Sequence, residues 1–212
     1  MSEHPSDDEI NARANEKARK RKAAREKILA TKTVEKGLLI VHTGKGKGKS
    51  TAAFGLAVRA LGNGMKVGVV QYVKGRWDTG ERRVLEKFPD QVEIRTMGEG
   101  FTWDTQDRAR DIRAAEAAWQ ASTEMIEACR GENPKYDMVI LDELNIVLRY
   151  DYLPLAEVIE VLKNKPQDLH IVVTGRNAKD DLIEIADLVT EMTLVKHPFR
   201  EQNVKAQKGI EF

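Results

Sequence analysis

The chain contains a single cysteine, Cys129, in 212 residues. An intramolecular disulfide is thereby excluded, and a lone thiol cannot build a thiolate metal cluster by itself. A reducing compartment, the cytoplasm, is the natural setting, and Cys129 reads as inert. Long apolar runs are missing too. Nothing approaches the roughly 18 residues that suggest a membrane span, and the N-terminal segment lacks the apolar centre of a secretory signal, so no membrane association is expected. Net charge is also nearly absent: 35 Lys and Arg stand against 34 Asp and Glu, a formal +1. No general field draws in nucleic acid or anionic lipid, so any basic site must be local. No internal repeat stands out. What remains, at 41% hydrophobic and 33% charged, suffices for one core of ordinary size.

Residues 7 to 31 are crowded with Ala, Lys, Arg and Glu, and Ile28 and Leu29 are their only large apolar pair. Such a segment cannot bury itself. It reads either as a solvated helical arm that orders by docking on something or as a flexible basic tail. After Lys36 the composition changes to Gly37-Leu-Leu-Ile-Val-His42, a continuous apolar run of the kind parallel strands show when both faces are covered. The expected organisation is an N-terminal basic helical arm over 1–35 and one domain over 36–212. Within that domain, helices are expected at 51–61, 81–88, 107–130, 155–163 and 180–186. Strands are expected at 37–42, 66–73, 91–97, 136–141, 169–174 and 188–195. Strands alternating with helices imply an α/β fold, a mostly parallel sheet flanked by helices on both faces.

The first strand runs into Thr43-Gly-Lys-Gly-Lys-Gly-Lys-Ser-Thr51. The segment matches the phosphate-loop pattern except at Thr43, where glycine is expected; Gly48, Lys49 and Ser50 are in register. Glycines let backbone N–H groups turn inward as an anion-binding nest, and the helix that follows adds its unpaired amides and positive dipole end. Lys49 should supply a point charge to phosphate oxygens, and the Ser50 hydroxyl is placed to ligate magnesium shared with a nucleotide. The bland alternative, a lysine-rich surface turn, sits poorly between a buried strand and a helix. A second element, Met138-Val-Ile-Leu-Asp142-Glu143, sets carboxylates at the C-terminal end of an apolar strand, where ligands sit in open α/β sheets. It resembles a Walker B motif. Either Asp142 or Glu143 could complete the magnesium shell, and either alone could instead cap a helix.

Several further runs carry a specific resemblance: the phosphate loop extended through Ala-Ala-Phe-Gly55, Val67-Gly-Val-Val-Gln-Tyr-Val-Lys-Gly75, Gly80-Glu-Arg82 and Gly100-Phe-Thr-Trp-Asp-Thr-Gln106. Farther on come Leu141-Asp-Glu-Leu144, Tyr150-Asp-Tyr-Leu-Pro-Leu155, Val173-Thr-Gly-Arg176, Val195-Lys-His197 and Val204-Lys-Ala-Gln-Lys-Gly-Ile210. In joint order and spacing these resemble the ATP:corrinoid adenosyltransferases of the phosphate-loop type. The resemblance implies a phosphate-loop NTPase fold of the RecA-like kind. It also implies transfer of the 5′-deoxyadenosyl group of ATP to the cobalt of a reduced Co(I) corrinoid, with triphosphate as the leaving group. Triphosphate contacts are then assigned to Gly44, Lys45, Gly46, Lys47, Gly48, Lys49, Ser50 and Thr51, with Lys49 central and Arg59 a weaker candidate. Ser50 and Glu143 become the ligands of Mg2+ or Mn2+. Phe101 and Trp103, which alone would pass for core packing, match an aromatic pair set against the lower face of the corrinoid. The family also suggests a flavoprotein reductant, a homodimer, and an N-terminal helix that closes over the corrinoid site. Competing readings are a generic phosphate-loop ATPase or kinase and a nucleotide-gated corrinoid carrier. His42, His170 and His197 show no metal-ligand spacing.

Overall fold

In a computed structural model of the chain, the described residues are 6–73, 79–97 and 107–211. The chain divides into two compact units, Met1–Glu35 and Lys36–Phe212.

The first unit is the helix α1 (Asp7–Ala30), which buries none of its residues. Local terms stabilise it. Ser6 and Glu9 form a reciprocal capping box, in which the Ser6 Oγ accepts from the Glu9 N–H and the Glu9 carboxylate accepts from the Ser6 N–H. Asp7, Asp8 and Glu9 lie at the positive end of the dipole, and Glu16 pairs with Lys20 one turn on.

The second unit contains β1 (Leu39–Thr43), α2 (Lys49–Gly62), β2 (Val67–Gln71), α3 (Gly80–Leu85), β3 (Val92–Thr96), α4 (Arg108–Glu127), β4 (Met138–Asp142), α5 (Leu144–Arg149), α6 (Leu155–Lys163), β5 (His170–Thr174), α7 (Asp180–Ile185), β6 (Leu188–Glu191) and α8 (Pro198–Glu201). The strands form one six-stranded sheet in the order β3-β2-β4-β5-β1-β6, and every pairing is parallel. The expected α/β architecture is therefore the observed one. The apolar runs over β1, β2 and β4 are buried at every position because helices cover both faces. Leu39, Val41, Val70, Leu141 and Val173 face one core with α4, α5, α6 and α7. Ile40, Val69, Ile140 and Val172 face another with Ala53, Phe54 and Ala57 of α2 and Leu85 of α3. Each such aliphatic side chain contributes about 1.5–3 kcal/mol on burial.

Two departures from the sequence expectations bear on the site. The last strand ends at Glu191 instead of continuing to 195, because its only neighbour among the described residues, β1, ends at Thr43 and offers no further ladder. The Met192 N–H still donates to the Thr43 carbonyl at 2.9 Å, after which the chain turns onto the phosphate loop. A short helix missing from the sequence expectation, α5, begins immediately after Glu143. Its run Leu144-Asn-Ile-Val-Leu-Arg149 has no glycine or proline punctuation separating it from β4, so strand and helix merge in the sequence.

Candidate active site

β1 delivers the chain to the phosphate loop with Thr43 buried. Gly44 and Gly48 adopt φ of 96° and 103°, conformations that favour glycine. A second reason for glycine comes from the segment beyond β6. A Cβ on Gly44 would stand 2.4 Å from the Met192 carbonyl oxygen, and one on Gly46 would stand 2.6 Å from that of Thr193. The Gly46 N–H donates to the Met192 carbonyl at 2.7 Å, fixing the loop against that segment. Gly48 caps α2 without a side chain, so the first amides of α2 open toward the loop.

The lysines of the loop have separate fates. Lys45 and Lys47 are exposed, and the Lys47 ammonium pairs with the Glu211 carboxylate near the end of the chain. Lys49 is partly buried at the first turn of α2 and donates to the Gly46 carbonyl. Burial pulls its ammonium below the usual lysine value, the charges of Arg176 and Lys47 add to that pull, and Glu143 opposes it. Two cations and one carboxylate thus act on Lys49 at the mouth of the loop. Ser50 and Thr51 follow in the same turn of α2. Thr51, Gly55 and Arg59 share one i, i+4 row of α2 whose residues are exposed. Arg59 lies in the last turn, about 15 Å along the axis from Lys49 at 1.5 Å per residue, so the fold does not bring it to the loop itself.

At the head of β4 the two carboxylates differ. Asp142 is fully buried, accepting from the Thr174 hydroxyl at 2.8 Å and from the Gln71 amide at 3.5 Å. Glu143 has a left-handed backbone, φ 69°, where β4 breaks into α5, and its N–H donates to the Thr174 hydroxyl at 2.9 Å. The turn directs the chain out of the sheet at Glu143 and leaves Asp142 beneath it. Gln71 continues the network, accepting from the Thr96 hydroxyl at 3.1 Å, and Thr96 accepts from Arg82 at 3.2 Å. His42 completes the layer in register with Thr174 on one side and Thr190 on the other. Burial lowers the pKa of its imidazole, and neither ring nitrogen has a hydrogen-bond partner among the described residues.

The fold therefore brings Gly44 to Thr51 together with Glu143. Phe101 and Trp103 lie outside the described residues. The other sequence candidates for chemistry are structural. Cys129 is buried, donates to the Met125 carbonyl at 3.1 Å, and has its thiol pKa raised by burial. His170 Nδ1 accepts from the Leu38 N–H at 3.1 Å. Among the described residues no group of three or more His, Cys, Asp and Glu side chains could hold a metal ion. A hydroxyl and a carboxylate, Ser50 and Glu143, do suit magnesium, which keeps several waters and takes further oxygens from a bound phosphate. Gln71, Thr174 and Arg176 stand within the runs that carry the resemblance, but sequence reasoning assigned none of them a role in the site. The available signal was the polar residue that closes each apolar strand, read together with strand adjacency.

Residues 35–212 match the family model described as ATP:corrinoid adenosyltransferase BtuR/CobO/CobP. The chain belongs to that family. It is 58% identical over 204 residues to a corrinoid adenosyltransferase of a Sinorhizobium species, covering 95% of this chain and 92% of that one. A corrinoid adenosyltransferase of Pseudomonas aeruginosa is 49% identical across the full length of both chains. One of Escherichia coli K12 is 49% identical over 178 residues, 84% of this chain and 87% of that one. Among solved structures, the KaiC-like protein PH0186 of Pyrococcus horikoshii OT3 overlaps 80% of this chain and 75% of its own, with a TM-score of 0.45 at 16% identity.

Proposed function

We propose that this protein transfers the 5′-deoxyadenosyl group of ATP to the cobalt of a reduced Co(I) corrinoid, with triphosphate leaving. The observation that carries the reading is the joining of a complete phosphate cradle, Gly44 to Thr51, to the Glu143 carboxylate in a chain matched to this family over residues 35–212. Cobalt forms a bond to C5′ while the C5′–O5′ bond breaks, and its electron pair departs on the triphosphate. Co(I) is a strong nucleophile, so no side chain needs to abstract a proton from an attacking group. The protein's work is placement and stabilisation of the leaving group. Lys49 and the inward amides of the loop offset the charge that develops on the triphosphate, in a cleft where such interactions are stronger than in water. Ser50 and Glu143 are the proposed ligands of Mg2+ or Mn2+, which when bound adds a Lewis acid on the phosphate oxygens. Lys45, Lys47 and Thr51 line the loop's exposed side. Arg59 is assigned to any part of the nucleotide that extends along the outer row of α2.

Phe101 and Trp103 are proposed to bound the corrinoid's lower face, keeping water and an axial ligand from the cobalt. An electron is needed to make Co(I), and a flavoprotein is the proposed donor. The enzyme is proposed to be a cytoplasmic homodimer; no helix among the described residues is long and apolar enough to cross a membrane. The N-terminal unit is assigned to corrinoid use, so removal of residues 1–31 should weaken corrinoid kinetics far more than ATP binding.

The deciding experiment incubates the protein with ATP, magnesium and a chemically reduced corrinoid. Triphosphate and a light-sensitive Co–C product are expected. Formation of ADP would favour an ordinary phosphate-loop ATPase or kinase, and binding of both substrates without turnover would favour a carrier.

A further inference from the structure

The loop between β5 and α7 is fastened along its backbone and side chains to everything around it. The Gly175 N–H donates to the His42 carbonyl at 3.2 Å, and the Asn145 amide donates to the Gly175 carbonyl at 3.1 Å. Gly175 has φ 128°, and a Cβ there would stand 2.8 Å from that of Asn145, so only glycine fits the turn. With its amide oxygen turned to the guanidinium, Asn177 accepts from Arg149 Nε and Nη1 at 3.1 Å each. The Ala178 N–H donates to the Thr43 hydroxyl at 3.0 Å, and Lys179 pairs with Asp151 at 2.9 Å. Arg176 is the exception. Its side chain is exposed and has no hydrogen bond or ion pair among the described residues.

β5 lies beside β1, with Thr174 opposite His42, so the loop leaving β5 stands next to the phosphate loop leaving β1. The Ala178 N–H to Thr43 hydroxyl bond, two residues on from Arg176, sets that guanidinium at the same end of the sheet as Lys49 and the phosphate loop. A rigid loop that presents an unpaired guanidinium beside another cation is unfavourable until an anion arrives between them. Triphosphate is such an anion, and the planar fork of arginine matches phosphate oxygens with two parallel hydrogen bonds.

We infer that Arg176 grips the outgoing triphosphate from the β5 side of the cradle, and that Thr43 is the positioning residue that latches the Arg176 loop to the phosphate loop. The inference deepens the proposed function and rests on triphosphate being the group held there. It also accounts for the one departure from the phosphate-loop pattern. Glycine at position 43 would leave the Ala178 N–H without its hydroxyl acceptor and the two loops without their direct tie.

The test titrates inorganic tripolyphosphate, with magnesium, into the full-length protein by calorimetry. Wild type should bind. Arg176→Ala should weaken binding about ten- to a hundredfold with an unchanged melting temperature, because the side chain is exposed, and Arg176→Lys should fall between. Thr43→Ala should lose roughly three- to tenfold, with Thr43→Ser restoring it. Binding by Arg176→Ala within twofold of wild type would overturn the grip, and an undiminished Thr43→Ala would overturn the latch. If wild type itself does not bind tripolyphosphate, the inference fails together with the triphosphate site. If it binds through Arg176 but converts ATP to ADP, the reaction reading fails alone.

Discussion

Two adjacent rows on one face of the sheet differ completely in chemistry. The lower row runs Ile94, Val69, Ile140, Val172, Ile40 and Leu188 across the strands; two residues higher, the same strands present Thr96, Gln71, Asp142, Thr174, His42 and Thr190. In the middle strands both rows are buried to a similar degree, so exposure does not explain the change. The lower row packs against α2. The upper row lies where α2 begins and the loops leave the sheet, and four of its members, Thr96, Gln71, Asp142 and Thr174, are tied to one another and to the backbone of Glu143. One row holds the sheet to its helix, and the other fixes the strand ends from which the site is built. Burying a carboxylate and a hydroxyl costs least when they are bonded to each other, which is why Asp142 and Thr174 come as a pair.

Substitutions can separate those roles. The largest effect is expected just above the upper row: Lys49→Ala should reduce adenosyl transfer about a thousandfold or more, about 4 kcal/mol of barrier, with little change in urea denaturation. Substantial transfer in the folded variant would remove Lys49 from its role. In the lower row, Ile140→Ala should lower the unfolding free energy by about 2–5 kcal/mol through a cavity against α2, while residual activity per folded molecule stays near wild type. Thr174→Val keeps the shape but strips the hydroxyl that donates to Asp142 and accepts from Glu143. It should cost about 1–3 kcal/mol of stability and reduce transfer as well. If only stability changes, the upper row is a core feature and the contrast collapses.

The smallest effect lies outside both rows, on the edge strand β3. Lys135 and Tyr136, then Arg95, hold the Glu93 carboxyl down to about 2 from an ordinary 4.5. Because the folded-state pKa is depressed, this stabilisation is fully present above about pH 4.5 and is lost as pH falls toward 2. The cluster is partly exposed and screened, so it is worth about 1 kcal/mol or less. Glu93→Gln should flatten the acid limb of a melting-temperature profile without changing transfer at neutral pH. An unchanged limb would show that this cluster contributes nothing.

Much of the fold was legible in the residues. Apolar runs bounded by glycine and polar residues marked the strands, and their alternation with helical periodicity required a parallel sheet covered on both sides. The β6 boundary was not legible. Leu188 to Val195 reads as one strand, and its end is set by where β1 stops. Nor was α5, because an apolar run does not reveal by itself where extended backbone becomes helical; the left-handed Glu143 decides that.

For the site, the sequence by itself determined the phosphate loop, the Lys49 and Ser50 positions and the carboxylate pair, because those depend on spacing along a single strand and its following turn. Only the tertiary structure decided which carboxylate is buried, that Thr174 reaches both, and that Thr43 ties its loop to that of Arg176. These relations join residues more than thirty positions apart in the chain. They follow from β5 lying between β4 and β1, an order that hydrophobic periodicity within single strands does not encode.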